Sequence, residues 1–250
     1  MMLNELKAEF KKVFTIRSTY IILALILVLV IFFGFYVGGW HADKLNLADP
    51  TWLFKVAQQA ISFSSIGTAL IGLLLLTHEF RYNLSAYSFT LSNSRNKVLL
   101  SKIIVISIVA VVVTVIVGAA SPLLAYWGIN ANHLHLVHQT FSVGSLAWRG
   151  LVFGWGYAMA GLVIAALVRN QIGAIIVLFI VPNTVEGLFS ILLKSNSVYM
   201  PFSSLHAMLG VGLNAQSSIL DTVHAMYIFL GYLIVSWAIA WAAFLTKDAA

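Results

Sequence analysis

From Tyr20 to Trp40 the chain carries no charged side chain, and apolar runs of similar length recur along it. A helix needs about 20 apolar residues to cross the hydrocarbon core of a bilayer, and in that core every backbone N–H and C=O must be paired within the protein. Six runs, at about 20–40, 56–76, 98–127, 146–168, 172–193 and 223–245, therefore predict a single all-α membrane domain over residues 1–250 with six transmembrane helices. The charged fraction supports this: 9% of residues are charged and 61% hydrophobic, against about 25% charged in a soluble domain. The first run is longer than the hydrophobic stretch of a signal peptide and no small-residue cleavage site follows it, so it reads as an uncleaved span.

Basic residues set the orientation. With the N-terminus inside, Lys7, Lys11, Lys12, Arg17, Arg81, Arg95, Lys97, Lys102, Arg169 and Lys247 are cytosolic, and Lys44, Lys55, Arg149 and Lys194 are outside. That excess predicts cytosolic N- and C-termini, and the basic residues flank apolar runs instead of forming a nucleic-acid patch. Residues 1–18 add an amphipathic pattern. Leu3, Leu6, Phe10, Val13 and Phe14 share one face with Glu5 and Lys12 opposite, as in a helix lying among lipid headgroups.

Within the second run, Gln58, Ser62 and Ser65 follow helical spacing and share a face. They serve either as hydrogen-bonding glue between helices or as a wall of a transport path. In the third run, Gly118-Ala119-Ala120 before Ser121-Pro122 predicts a kink or a close helix contact. Gly150 and Gly154 in the fourth make a G-x-x-x-G pair that favours tight packing. The fifth is interrupted at Val181-Pro182-Asn183 and then carries Glu186, which either lines a path or sits near the outer surface and bonds locally. His133, His135 and His138 could hold a metal only as an H-x-H-x-x-H loop, a spacing unlike the usual zinc patterns, so no metal is expected.

The longest polar interruption is Thr77–Lys102, with four of the fourteen Lys and Arg. At 100° per residue Phe80, Leu84, Tyr87 and Leu91 fall on one stripe, with Tyr82 and Phe89 almost opposite. Such a helix either seals the bilayer surface or offers its second face to a partner.

The segment resembles the cytosolic connection between the second and third membrane helices of ABC-2-type exporter permeases. Glu79-Phe80-Arg81-Tyr82, a Ser/Thr-rich turn with Thr90, then Ser94-Arg95 and Leu99-Leu100-Ser101-Lys102 match E-Y-R-Y, a Thr-rich stretch, R and L-L-A-K in an actinobacterial-looking branch of that family. Asn83-Leu84 replaces the family's Gly-Thr. Arg169-Asn170-Gln171 and Tyr199-Met200-Pro201-Phe202 also fit, so the likeness spans about the whole chain. It implies an N-terminal elbow helix, a coupling helix between spans 2 and 3, and short outer-leaflet helices over 182–222. It further implies residence in a bacterial plasma membrane, a second permease copy as homodimer partner, and two copies of a cytosolic ATPase that holds ATP and Mg. Glu79, Phe80, Arg81, Tyr82, Tyr87, Phe89 and Arg95 would then couple to the ATPase. Gln58, Ser62, Ser65, Asn183 and Glu186 would line the path of a hydrophobic or amphipathic cargo such as a drug or small peptide.

Residues that would carry chemistry in this chain are missing. It contains no cysteine and no G-x-x-x-x-G-K-[ST], H-E-x-x-H or G-x-S-x-G, so it is not expected to be an enzyme or to hold a cofactor, and any ATP hydrolysis belongs to a partner. Two other classes remain: a scaffold or immunity protein that sequesters a toxic peptide without pumping, and an ion-coupled carrier, for which Glu186 alone is little support.

Overall fold

The computed structural model describes residues 2–81, 95–140, 142–211 and 220–246. All regular structure among them is helical. An N-terminal helix, Met2–Thr15, leads into six helices long and apolar enough to cross a membrane: Arg17–Trp40, Trp52–Arg81, Asn96–Ala131, Val143–Val168, Gln171–Tyr199 and Thr222–Ala243. They are called spans 1 to 6 in chain order. The end of the bundle that carries the N-terminal helix is the N-face and the opposite end the far face.

Span 2 is the hub. Ala57, Ala60, Ile61, Ala69, Leu73 and Leu76 are all buried, because the small residues Ser64, Ser65, Gly67, Thr68, Ala69 and Gly72 let neighbouring helices close on it. Span 4 packs on it backbone to backbone: a Cβ on Gly161 would collide with the Ala69 carbonyl, and one on Gly72 would lie 2.8 Å from the Ala158 oxygen. The G-x-x-x-G pair also meets neighbours, Gly150 against Ile61 and Gly154 against Thr114.

Span 1 is α-helical to Ile31 and winds more widely, as a π-helix, from Phe32 to Trp40. Gly34, Gly38 and Gly39 are buried there. A Cβ on Gly39 would stand 2.8 Å from Gly128 Cα, so spans 1 and 3 touch at a glycine pair. The close contact expected at residues 118–122 of span 3 is present, since a Cβ on Gly34 would stand 3.0 Å from the Ser121 carbonyl, and it extends to Gly128. Pro122 sits inside a continuous helix, Arg95–Ala131.

Span 5 is continuous where an interruption was expected. Gln171–Ile180 passes through one π-helical turn, Val181–Val185, into Glu186–Leu193. A π turn shifts the hydrogen-bond register around Pro182, and the Asn183 side chain donates to the Phe179 carbonyl at 2.9 Å. The helix changes character only at Lys194, where a 3-10 segment runs to Tyr199. A short helix, Pro201–Leu209, follows. Proline at its first position and Gly210 at φ +86° just past its end are the usual start and stop signals. Its Leu205, Met208 and Leu209 are buried, and Leu205 and Phe229 of span 6 both approach Gly156 of span 4. Residues 212–219, which fall in the 182–222 stretch expected to hold short helices, lie outside the described residues.

At the far face the loop after span 3 covers the loop after span 1. Thr140 N–H donates to the Pro50 carbonyl at 2.9 Å and the Gln139 amide to the Asp49 carbonyl at 3.0 Å. Leu134 and Leu136 turn inward against Leu47 and Ile129. The alternation turns His133 and His135 outward, and both they and His138 are exposed.

Candidate functional site

Among the described residues two polar constellations lie within this apolar bundle, one toward each end. The first is a cluster of four charges at the N-face. Lys102, on span 3, is fully buried. Its ammonium donates to Glu79 Oε1 at 2.7 Å and to Glu9 Oε2 at 2.8 Å. Lys12 donates to Glu79 Oε1 and to Glu9 Oε1, both at 2.6 Å. Two cations and two anions thus cancel in a space where a lone ion is costly. Burial works against the charge on Lys12, but Glu79 and Glu9 outweigh it, and its pKa is raised above the ordinary lysine value.

This geometry adds a buried acid to the amphipathic pattern of residues 1–18. Val13 is buried, Phe14 is 55% exposed, and Glu9 is 4% exposed. The N-terminal helix therefore docks by a charged edge as well as an apolar one, because Lys102 offers it a buried cation. Lys12, assigned to the polar side, has its ammonium in the same cluster.

Glu79, the first of the residues expected to couple to an ATPase, is 4% exposed. Its carboxylate faces inward, so it does not present a surface to another protein. Phe80 lies under the Arg169 guanidinium, 5.8 Å from ring centroid to Cζ, and Arg81 donates to Gln171 Oε1 at 3.2 Å. Arg169 itself donates to the Ala243 carbonyl at 2.6 Å. The last turn of span 2 is thus held on one side by the N-terminal helix and span 3, and on the other by the turn between spans 4 and 5. Tyr82, Tyr87, Phe89 and Thr90 lie outside the described residues, and Arg95 opens the helix of span 3.

The second constellation is a polar cavity of about 230 Å³ between span 2, span 5 and the short helix. Ser62, Asn183 and Glu186, three of the five residues assigned to a path, line it together. The other two do not. Ser65 turns back on its own helix and donates to the Ile61 carbonyl at 2.7 Å, and Gln58 donates to the Leu209 carbonyl. Gln59, Tyr157, Ser190, Ser197, Ser203 and His206 also line it and were not singled out by the sequence. No periodic pattern marks Tyr157 or His206, which come from different elements.

The short helix is pinned at three points by side chains from three spans. Glu186 of span 5 accepts from the backbone N–H of Phe202 and of Ser203, both at 2.7 Å, and from Ser203 Oγ at 2.6 Å. A carboxylate there satisfies N–H groups left unpaired at the helix start and meets the positive end of its dipole. Tyr157 Oη of span 4 and His206 Nε2 share a hydrogen bond of 2.8 Å at mid-helix. Gln58 of span 2 serves the last carbonyl. Glu186 therefore bonds locally and lines the cavity at once.

Among the described residues no three His, Cys, Asp or Glu side chains gather as a metal would need. No protein-family model matches the chain, and a search of curated proteins likewise finds no match.

Proposed function

We propose that this chain is the membrane-spanning subunit of an ATP-driven exporter of the ABC-2 type. A homodimer of it forms the path, and two copies of a separate ATPase, carrying ATP and Mg, dock at the N-face, which is the cytosolic side of a bacterial plasma membrane. The observation that carries this reading is the buried pair Glu79–Lys102. These residues stand at the two roots of the Thr77–Lys102 segment, on spans 2 and 3, and share the N-terminal helix through Glu9 and Lys12. A push on the intervening segment therefore moves two spans and the N-terminal helix as one body, which is what rigid-body access switching needs. Span 2 then runs from that cluster to the polar cavity, so one helix links the point of force to the place where a cargo would sit.

The chain has no P-loop of its own. The expected result is that the full-length protein, extracted from its native membrane in mild detergent, retains a nucleotide-hydrolysing subunit in equal copy number. Proteoliposomes holding that complex move an amphipathic cargo only with ATP. Transport by the chain alone, driven by an ion gradient, would replace this reading with a secondary carrier; sequestration of a peptide without transport would replace it with a scaffold.

A further inference from the structure

Among the described residues Glu186 is the one acidic residue on the wall of the polar cavity, and no lysine or arginine lines it there. The three groups that donate to its carboxylate are all neutral. A carboxylate has about four acceptor positions. Oε2 accepts two hydrogen bonds and Oε1 accepts one, so Oε1 keeps a position for a donor. The cavity beside it has amides from Gln59 and Asn183 and aromatic rings from Phe63, Tyr157 and Phe179. Ring faces attract cations, and the cavity volume suits a molecule of one ring and a short arm. An anion would meet the Glu186 charge with nothing to offset it. A neutral apolar molecule would leave the free acceptor unfilled.

The geometry points to a binding site for a small primary amine with an apolar or aromatic tail, its ammonium on Glu186 and its tail against Phe63 and Phe179. Calling the amine a cargo rests on the exporter reading; its binding does not.

The test uses the full chain in phosphatidylcholine nanodiscs and three probes of one shape, 2-phenylethylamine, 2-phenylethanol and 3-phenylpropionate, titrated by ligand-observed NMR. The amine is expected to bind more tightly than the other two by on the order of tenfold or more, as for a hydrogen bond to a charged group. Glu186→Gln brings it to the level of the alcohol. Since Glu186 also holds the short helix, Ser190→Lys is the second variant: it leaves the carboxylate in place and supplies a competing ammonium from the cavity wall, and amine binding again falls about tenfold. Equal binding of the three probes, or amine binding unchanged in both variants, overturns the site. Amine binding that is selective and lost in the variants, with no effect on nucleotide hydrolysis and no transport, upholds the site and removes the exporter reading.

Discussion

Lys102 and Glu79 meet at 2.7 Å in the interior of the N-face, the lysine fully buried and the glutamate 4% exposed. They lie at opposite ends of the same polar interruption, so their contact closes it at its base. Glu9 and Lys12 complete a neutral set of four, which brings the N-terminal helix into the same joint.

Lys102→Met removes one cation and leaves two buried carboxylates with Lys12 alone. The expected loss is roughly 3–5 kcal/mol of stability, the usual cost of breaking one side of a buried pair, read as a lower unfolding temperature in detergent. The double exchange Glu79→Lys with Lys102→Glu does not rescue it. The new lysine would meet Lys12 and the new glutamate would meet Glu9, because each original partner is shared. Recovery to wild-type stability would mean the pair acts alone.

Lys12 gives the cluster a pH signature. Its folded pKa is raised, so its contribution to stability is complete below the unfolded lysine value of 10.5 and is lost as pH rises through the higher folded value. Thermal unfolding followed from pH 8 to about 11.5 should fall more steeply in the wild type than in Lys12→Arg, since arginine stays charged across that range. Parallel curves would exclude this titration.

Gly161→Ala and Gly231→Ala separate packing from propensity. The first places a methyl against the Ala69 carbonyl, and spans 2 and 4 must part at a cost of about 1–3 kcal/mol. The second finds open space and should be neutral or stabilising by up to about 1 kcal/mol. Unfolding temperatures of the two variants in one detergent decide it.

The three pins on the short helix predict local loosening. Gln58→Leu leaves the Leu209 carbonyl without its side-chain donor, and Ser203→Ala removes one of three donors from Glu186. Each should cost about 1 kcal/mol locally. Hydrogen exchange should accelerate in residues 201–209 without a matching change in spans 2 and 4. Acceleration throughout the bundle would show that the helix is not a separate unit.

For the exporter reading, Tyr82→Asp and Phe89→Asp together are expected to abolish cargo-stimulated ATP hydrolysis and transport while leaving the unfolding temperature of the bundle near that of the wild type. A complex of the double variant with full coupled activity would remove those two aromatics from the docking surface.

The six spans were legible because the bilayer imposes length and apolarity directly on each run, and each observed helix covers its predicted stretch to within a few residues at most boundaries. Span 5 reads on past Pro182 because a π turn absorbs the proline, an adjustment that depends on Asn183 reaching the Phe179 carbonyl. The stripe Gln58, Ser62, Ser65 was legible as a face but not as a purpose. One member binds another helix, one lines the cavity and one bonds to its own backbone, since helical spacing fixes direction and says nothing of what stands opposite.

The sequence by itself determined that the chain crosses a membrane as helices, where each span lies and which polar residues interrupt the apolar runs, because these follow from local composition and from the cost of unpaired backbone in lipid. Only the tertiary structure decided that Lys102 finds Glu9 and Glu79, and that Glu186 caps the short helix through Phe202, sixteen residues away. Those pairings join elements far apart in the chain, and a buried charge is tolerated only where the packed fold brings its partner to it.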